Sequence, residues 1–212
     1  MSDWSPIDIQ TFDAVLLGCT DDSERVSRAV LERLPFVFES KAQYLIWRDA
    51  LAAGLDIDGR DIALVGSAAT GRSLNSRKQF GVFGAKSDLD IAVISQHHFE
   101  VAWQWFQISD VNLITGLDEE GKKKFEAHSK HYIFEGVVAA EYFLSYLPFG
   151  NQWLRELQRN ERLLPTKAQG RPLRIRIYRN HAALRTAQTS AVKSYMRVLT
   201  NKMDNKEEEV GA

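Results

Sequence analysis

Two short apolar runs, Ile62–Val65 and Leu89–Ile94, constrain this chain more than any other feature of it. Each is too short for a packed helix and is bounded by Gly, Ser or Asp, so each is predicted to be a strand. The first run breaks at Gly66-Ser67, and the second follows Asp88 and contains Asp90. Successive side chains of a strand point to opposite faces, so Asp88 and Asp90 share one face while Leu89 and Ile91 enter the core. Carboxylates held this close repel unless a cation lies between them, and a divalent ion carrying a nucleotide's phosphates is the commonest such cation. Gly66 lets backbone N–H groups approach phosphate oxygens, and the Ser67 hydroxyl adds a donor. The chemistry expected of residues 61–95 is phosphate transfer.

The segment between the strands, residues 68–87, contains Arg72, Arg77, Lys78 and Lys86 and no acid. Beside paired aspartates, such cations would hold a triphosphate or an acceptor strand, two ligands that charge alone does not separate. Residues 66–73 also match a phosphate-binding P-loop pattern, with Arg72 where lysine is required. That pattern needs a helix directly after it, whereas residues 74–84 are rich in Gly, Asn and Ser. An arginine fork does not reproduce the compact lysine ammonium either, so the P-loop reading ranks far below the transferase one.

A strand ending in Gly-Ser, a loop, and Asp-x-Asp in a hydrophobic strand resembles the nucleotidyltransferase superfamily, with the palm-like fold of polymerase β and its small bacterial relatives. The resemblance covers residues 61–95, and the spacing from Ser67 to Asp88, longer than usual for the family, implies an inserted loop. It implies that Gly66 and Ser67 hold the triphosphate and that Asp88 and Asp90 hold Mg²⁺ or Mn²⁺. It also implies a third carboxylate from a neighbouring strand, serving as metal ligand and base.

The rest of the chain supplies scaffold. With 212 residues, 44% hydrophobic and 26% charged, it suits one soluble globular domain. The single cysteine, Cys19, excludes an intramolecular disulfide and a cysteine-based zinc site. No basic-apolar leader and no bilayer-length apolar run occurs, so a cytoplasmic protein with no membrane partner is expected. Trp4, Ile7, Ile9, Phe12, Val15 and Leu16 suggest a segment that packs on the body. Helices are predicted over 21–34, stopped by Pro35, over 40–55, with Gly54 near its end, and over the aromatic-rich 99–108. Residues 118–147 are predicted helical in two pieces, ended by Pro148-Phe149-Gly150, and 151–164 form a further amphipathic helix. The adjacent histidines His97 and His98 diverge on a helix and find no third ligand at suitable spacing, which argues against zinc.

The C-terminal quarter differs: between Arg162 and Met203 there are ten Lys or Arg and no acid. Residues 172–178 alternate strictly, with Leu173, Ile175 and Ile177 on one face and Arg174, Arg176 and Tyr178 on the other, which predicts a half-buried strand with a basic face. Asn180 then caps a helix with Leu184, Ala187, Ala191, Tyr195 and Leu199 on its apolar stripe. Because this strand offers arginines where a third acid is expected, Asp110, Glu135 and Glu141 are the remaining candidates.

The expected fold is α/β (α+β), a small mixed sheet flanked by helices. One domain would span 1–203, with its core at 56–180, N-terminal helices over 21–55, a basic helix over 181–203, and an acidic disordered tail at 204–212. The expected function is metal-dependent transfer of a nucleotidyl group from a nucleoside triphosphate to a hydroxyl of RNA, a nucleotide, a protein or a small molecule. Asp88 and Asp90 would position the metal, Gly66 and Ser67 cradle the phosphates, and Arg72, Lys86, Arg174 or Arg176 neutralise charge. The alternative is a degenerate module of the same fold that binds a nucleotide or RNA, acting with a partner protein.

Overall fold

Four strands pair in the order β1-β2-β4-β3, where β1 is Ile62–Val65, β2 Leu89–Ile94, β3 Val137–Ala139 and β4 Leu173–Tyr178. The computed structural model describes residues 9–210, with side chains over 10–201. Strand β1 runs antiparallel to β2, setting Val65 opposite Asp90, and β2 runs parallel to β4, setting Asp90 opposite Arg174. Strand β3 closes the edge antiparallel to β4, with Ala139 opposite Arg176. The chain passes from β1 to β2 through the short helix α4 (Ser67–Thr70) and a loop; a parallel neighbour requires a longer crossover, and the chain between β2 and β4 carries α5 (Gln96–Ile108), α6 (Glu119–Ala127), β3 itself and α7 (Gly150–Glu161).

Alternation divides the sheet into two unlike faces. Ile62, Leu64, Leu89, Ile91, Val93, Ile175 and Ile177 enter the main core, where they meet Trp47 of α3 (Lys41–Leu55), Phe99 and Phe106 of α5, and Trp153 of α7. The opposite face carries Val65, Ala92, Ile94, Val137 and Tyr178, covered in part by Leu184 of the last helix, α8 (His181–Val210). A separate cluster joins α1 (Ile9–Leu17), α2 (Asp22–Val26) and α8 through Phe12, Leu16, Val26, Val192 and Tyr195.

Local chemistry accounts for most boundaries. Asp21, Ser40, Ser95 and Asp118 each cap a helix by accepting a backbone N–H with the side chain. The segment predicted helical over 21–34 is α2 followed by a π-helical turn, Ser27–Leu31. Helix α3 ends on Asp56, which takes the left-handed conformation expected of Gly54. Gly54 instead faces α7, where an added Cβ would collide with the Glu156 side chain.

Residues 118–147 depart from expectation. The first piece is α6 with a π-helical turn, His128–Tyr132, but the second is not helix. Gly136 adopts φ +74°, Val137–Ala139 pairs with β4, and 3-10 turns follow at Ala140–Tyr142 and Leu144–Tyr146. The apolar density around Val137 and Val138 reflects a short buried edge strand, which periodicity does not distinguish from a helix of the same length. Helix α8 continues through Val210, across residues assigned to a disordered tail. Residues 211–212 and residues 1–8, with Trp4 and Ile7, lie outside the described residues. No helix among the described residues is long and apolar enough to cross a membrane.

Candidate functional site

On the face of the sheet away from the main core lies a cavity of about 530 Å³. Its floor is made by the ends of β1, β2 and β4, and its walls by the loop around Lys78, the turn at Glu141, the segment from Lys124 to Tyr132, and Gln188 of α8. Five cationic side chains line it (Arg77, Lys78, Lys124, Arg174, Arg176), with three acids (Asp88, Asp90, Glu141). The excess of cations beside clustered carboxylates suits an anionic ligand that also engages the acids.

Strand geometry explains how the acids meet. Asp88 directly precedes β2 and is only 6% exposed; its Oδ2 accepts from Arg174 Nε at 2.7 Å and its Oδ1 pairs with Lys78 Nζ at 3.1 Å. Asp90 lies against Gly66, whose backbone at φ +64° and ψ −154° is open essentially to glycine alone. A Cβ at position 66 would stand 2.7 Å from Asp90 Oδ2, so glycine is required both by conformation and by the approach of the carboxylate. Burial pushes the Asp90 carboxyl above its ordinary range; Arg176 pulls it back and Asp88 adds to the rise.

Glu141 lines the same cavity. Burial raises its pKa, with Arg176 opposing, and its buried Oε2 has no hydrogen-bond partner among the described residues. Arg176 interacts with both Asp90 and Glu141; burial works against its charge, but these acids together with Tyr178 outweigh that and hold its pKa above the ordinary guanidinium value. Below it, Tyr178 is buried and held above its usual pKa chiefly for that reason.

His128 fixes one wall. Its Nδ1 lies 2.7 Å from the Lys124 carbonyl and its Nε2 accepts from the Ala139 N–H at 3.0 Å. A carbonyl only accepts and a backbone N–H only donates, so the ring is neutral with its proton on Nδ1. Burial lowers its pKa accordingly. This histidine ties α6 to β3 and so places Glu141, two residues beyond Ala139.

Of the residues predicted for the site, Gly66, Ser67, Asp88, Asp90, Arg174 and Arg176 line the cavity, whereas Arg72 and Lys86 do not. Arg72 turns away: its Nη1 donates to the Phe80 carbonyl at 3.3 Å and its guanidinium lies over the Tyr195 ring. Lys86 is exposed in the turn before β2. Among the three candidates for a third carboxylate, Asp110 caps a 3-10 turn, Glu135 is exposed, and Glu141 reaches the cavity. Lys78 was visible in sequence only as one of several loop cations; Lys124, Tyr132 and Gln188 gave no signal. Part of the basic character of α8 is compensated within the chain, since Arg185 pairs with Glu32 at 3.1 Å and Lys193 with Asp22 at 3.5 Å. His98 packs on Phe149 and Trp153 and meets Ser95 Oγ at 2.9 Å, away from the cavity.

No family model, no curated protein and no solved structure matches the chain.

Proposed function

We propose that this chain is nucleotidyltransferase-like and moves a nucleotidyl group from a nucleoside triphosphate to a hydroxyl acceptor. The observation that carries this reading is one cavity in which Asp88, Asp90 and Glu141 face the Gly66-Ser67 corner among five cationic side chains. Among the described residues, no three His, Cys, Asp or Glu side chains are already gathered around one metal position. The donor chemistry nonetheless fits a hard divalent ion: Asp88 and Asp90 supply carboxylates just before and within β2, the buried Oε2 of Glu141 lacks a partner among the described residues, and Mg²⁺ or Mn²⁺ accepts water for its remaining positions. When bound, such an ion would neutralise phosphate charge and align the leaving group.

The chain's own groups supply the rest. Ser67 and the Gly66 backbone orient the phosphates, and Arg174 and Arg176 offset the charge that develops on them. Glu141, with its raised pKa, takes the proton of the attacking hydroxyl as the new oxygen–phosphorus bond forms at the α-phosphate and the bond to pyrophosphate breaks. The basic C-terminal quarter favours RNA or a nucleotide as acceptor. A second reading is favoured by the internal pairing of Asp88 with Lys78 and Arg174: a nucleotide- or RNA-binding module without turnover, working beside a partner protein.

The discriminating experiment supplies α-labelled nucleoside triphosphates with Mg²⁺ or Mn²⁺ to the wild type and to Asp88→Ala/Asp90→Ala, in the presence of cellular RNA, oligonucleotides and protein. Transfer by the wild type alone supports the enzyme. Binding without transfer by the wild type supports the module.

A further inference from the structure

We infer that Lys78 is a built-in stand-in for the divalent cation: it occupies Asp88 in the ligand-free chain and leaves it when the ion arrives. This rests on the reading of Asp88 as a metal-site carboxylate. Both oxygens of Asp88 are engaged, Oδ2 by Arg174 at 2.7 Å and Oδ1 by Lys78 at 3.1 Å, so an ion reaching this carboxylate meets the positive charge of both.

The two cations are not equally free to move. Arg174 belongs to β4, locked in parallel register with Asp90. Lys78 ends a single 3-10 turn, Ser76–Lys78, and its side chain is 52% exposed, so it can swing into solvent without leaving a void. The turn's backbone is well held: Asn75 Oδ1 accepts from the Arg77 N–H at 2.9 Å and the Gly81 N–H donates to the Lys78 carbonyl at 3.0 Å. Just beyond Lys78, Gln79 and Phe80 both sit at positive φ, +50° and +52°, and the Phe80 ring packs 5.4 Å from Tyr195 of α8. Two non-glycine residues in this region carry backbone strain, which persists only where the surroundings enforce it. Here the strained pair holds the Lys78 backbone beside the cavity while leaving its side chain free, so release is a rotamer change and needs no loop opening.

Charge balance points the same way. Asp88 alone is faced by two cations, Lys78 and Arg174, in a cavity where five cationic side chains accompany three acids. Withdrawing Lys78 removes the more mobile of the two cations from Asp88 and lowers the positive potential that a divalent cation meets there. An ordinary exposed ion pair would contribute little, but here the acid is buried and shares its cavity with two more.

The test is calorimetric titration of Mn²⁺ into the wild type, Lys78→Met, Lys78→Arg and Lys78→Met/Asp88→Asn. The expected result is about tenfold tighter Mn²⁺ binding in Lys78→Met, no gain in Lys78→Arg, and loss of the gain in the double variant. Equal affinity of wild type and Lys78→Met, or an equal gain in both single variants, overturns the inference while leaving triphosphate transfer intact. Absence of Mn²⁺ binding in every variant also overturns it, and a parallel filter-binding measurement with labelled triphosphate then decides separately whether the nucleotide reading survives.

Discussion

The two faces of one four-stranded sheet differ more than any two elements of this chain. Along β2, Leu89, Ile91 and Val93 are fully buried against helices, while Asp90 between them opens onto the cavity. Along β4, Ile175 and Ile177 enter the same core and Arg174 and Arg176 enter the same cavity. Because strands β2 and β4 are parallel and in register, the acids of one lie beside the arginines of the other. A two-residue period thus lets one stretch of backbone fill the core on one side and line a charged cavity on the other, and the two can be perturbed separately.

The largest stability effect belongs to the apolar face. Ile91→Ala, at a position with no exposure, is expected to cost about 3 kcal/mol in urea unfolding. Ligand affinity of the folded fraction should change little. Gly66→Ala should come next at about 2–3 kcal/mol, because it forces a Cβ into a glycine-only conformation and against Asp90. Unlike Ile91→Ala it should also weaken triphosphate binding by more than tenfold.

Arg174→Met inverts that ratio. Lys78 still compensates Asp88 and Arg174 is itself 40% exposed, so unfolding should shift by only about 1 kcal/mol. Triphosphate binding should fall by an order of magnitude. If the stability loss exceeded that of Ile91→Ala, the division of labour between the faces would be wrong.

The smallest effect depends on pH. Burial raises the Glu141 pKa above its ordinary 4.5, so the folded chain favours the protonated acid. That contribution is complete below the ordinary value and is lost as pH rises through the raised one. Glu141→Gln keeps a neutral side chain throughout. It should match the wild type near pH 4 in thermal unfolding and be the more stable of the two at pH 8. A constant difference across that range would mean that Glu141 does not titrate abnormally.

What was legible in the sequence follows from the same periodicity. Strands β1, β2 and β4 showed themselves because apolar residues alternate with, or end at, residues that a core would reject: Gly66, Asp90, Arg174, Arg176. The face these residues share was therefore visible as well. Strand β3 was not, because three residues, Val137 and Val138 buried and Ala139 half-buried, show neither period, and with it went the route that brings Glu141 to the cavity. Nor could charge rank the loop cations. Arg72 and Lys78 lie six residues apart in one basic segment, and only the turn at Ser76–Lys78 and the left-handed pair after it send Lys78 inward while Arg72 goes to Phe80 and Tyr195. Such choices are made by backbone conformation and tertiary packing, which composition does not encode.

The acids beside β1 and the arginines of β4 are proposed to act on one ligand, a metal-bound triphosphate. Equilibrium binding of labelled nucleoside triphosphates with and without Mg²⁺, in the wild type, Asp88→Asn and Arg174→Met, tests it most directly. The account predicts Mg²⁺-dependent binding that Asp88→Asn abolishes and Arg174→Met weakens about tenfold. Binding unchanged by both substitutions, or no triphosphate binding by the wild type, would contradict it.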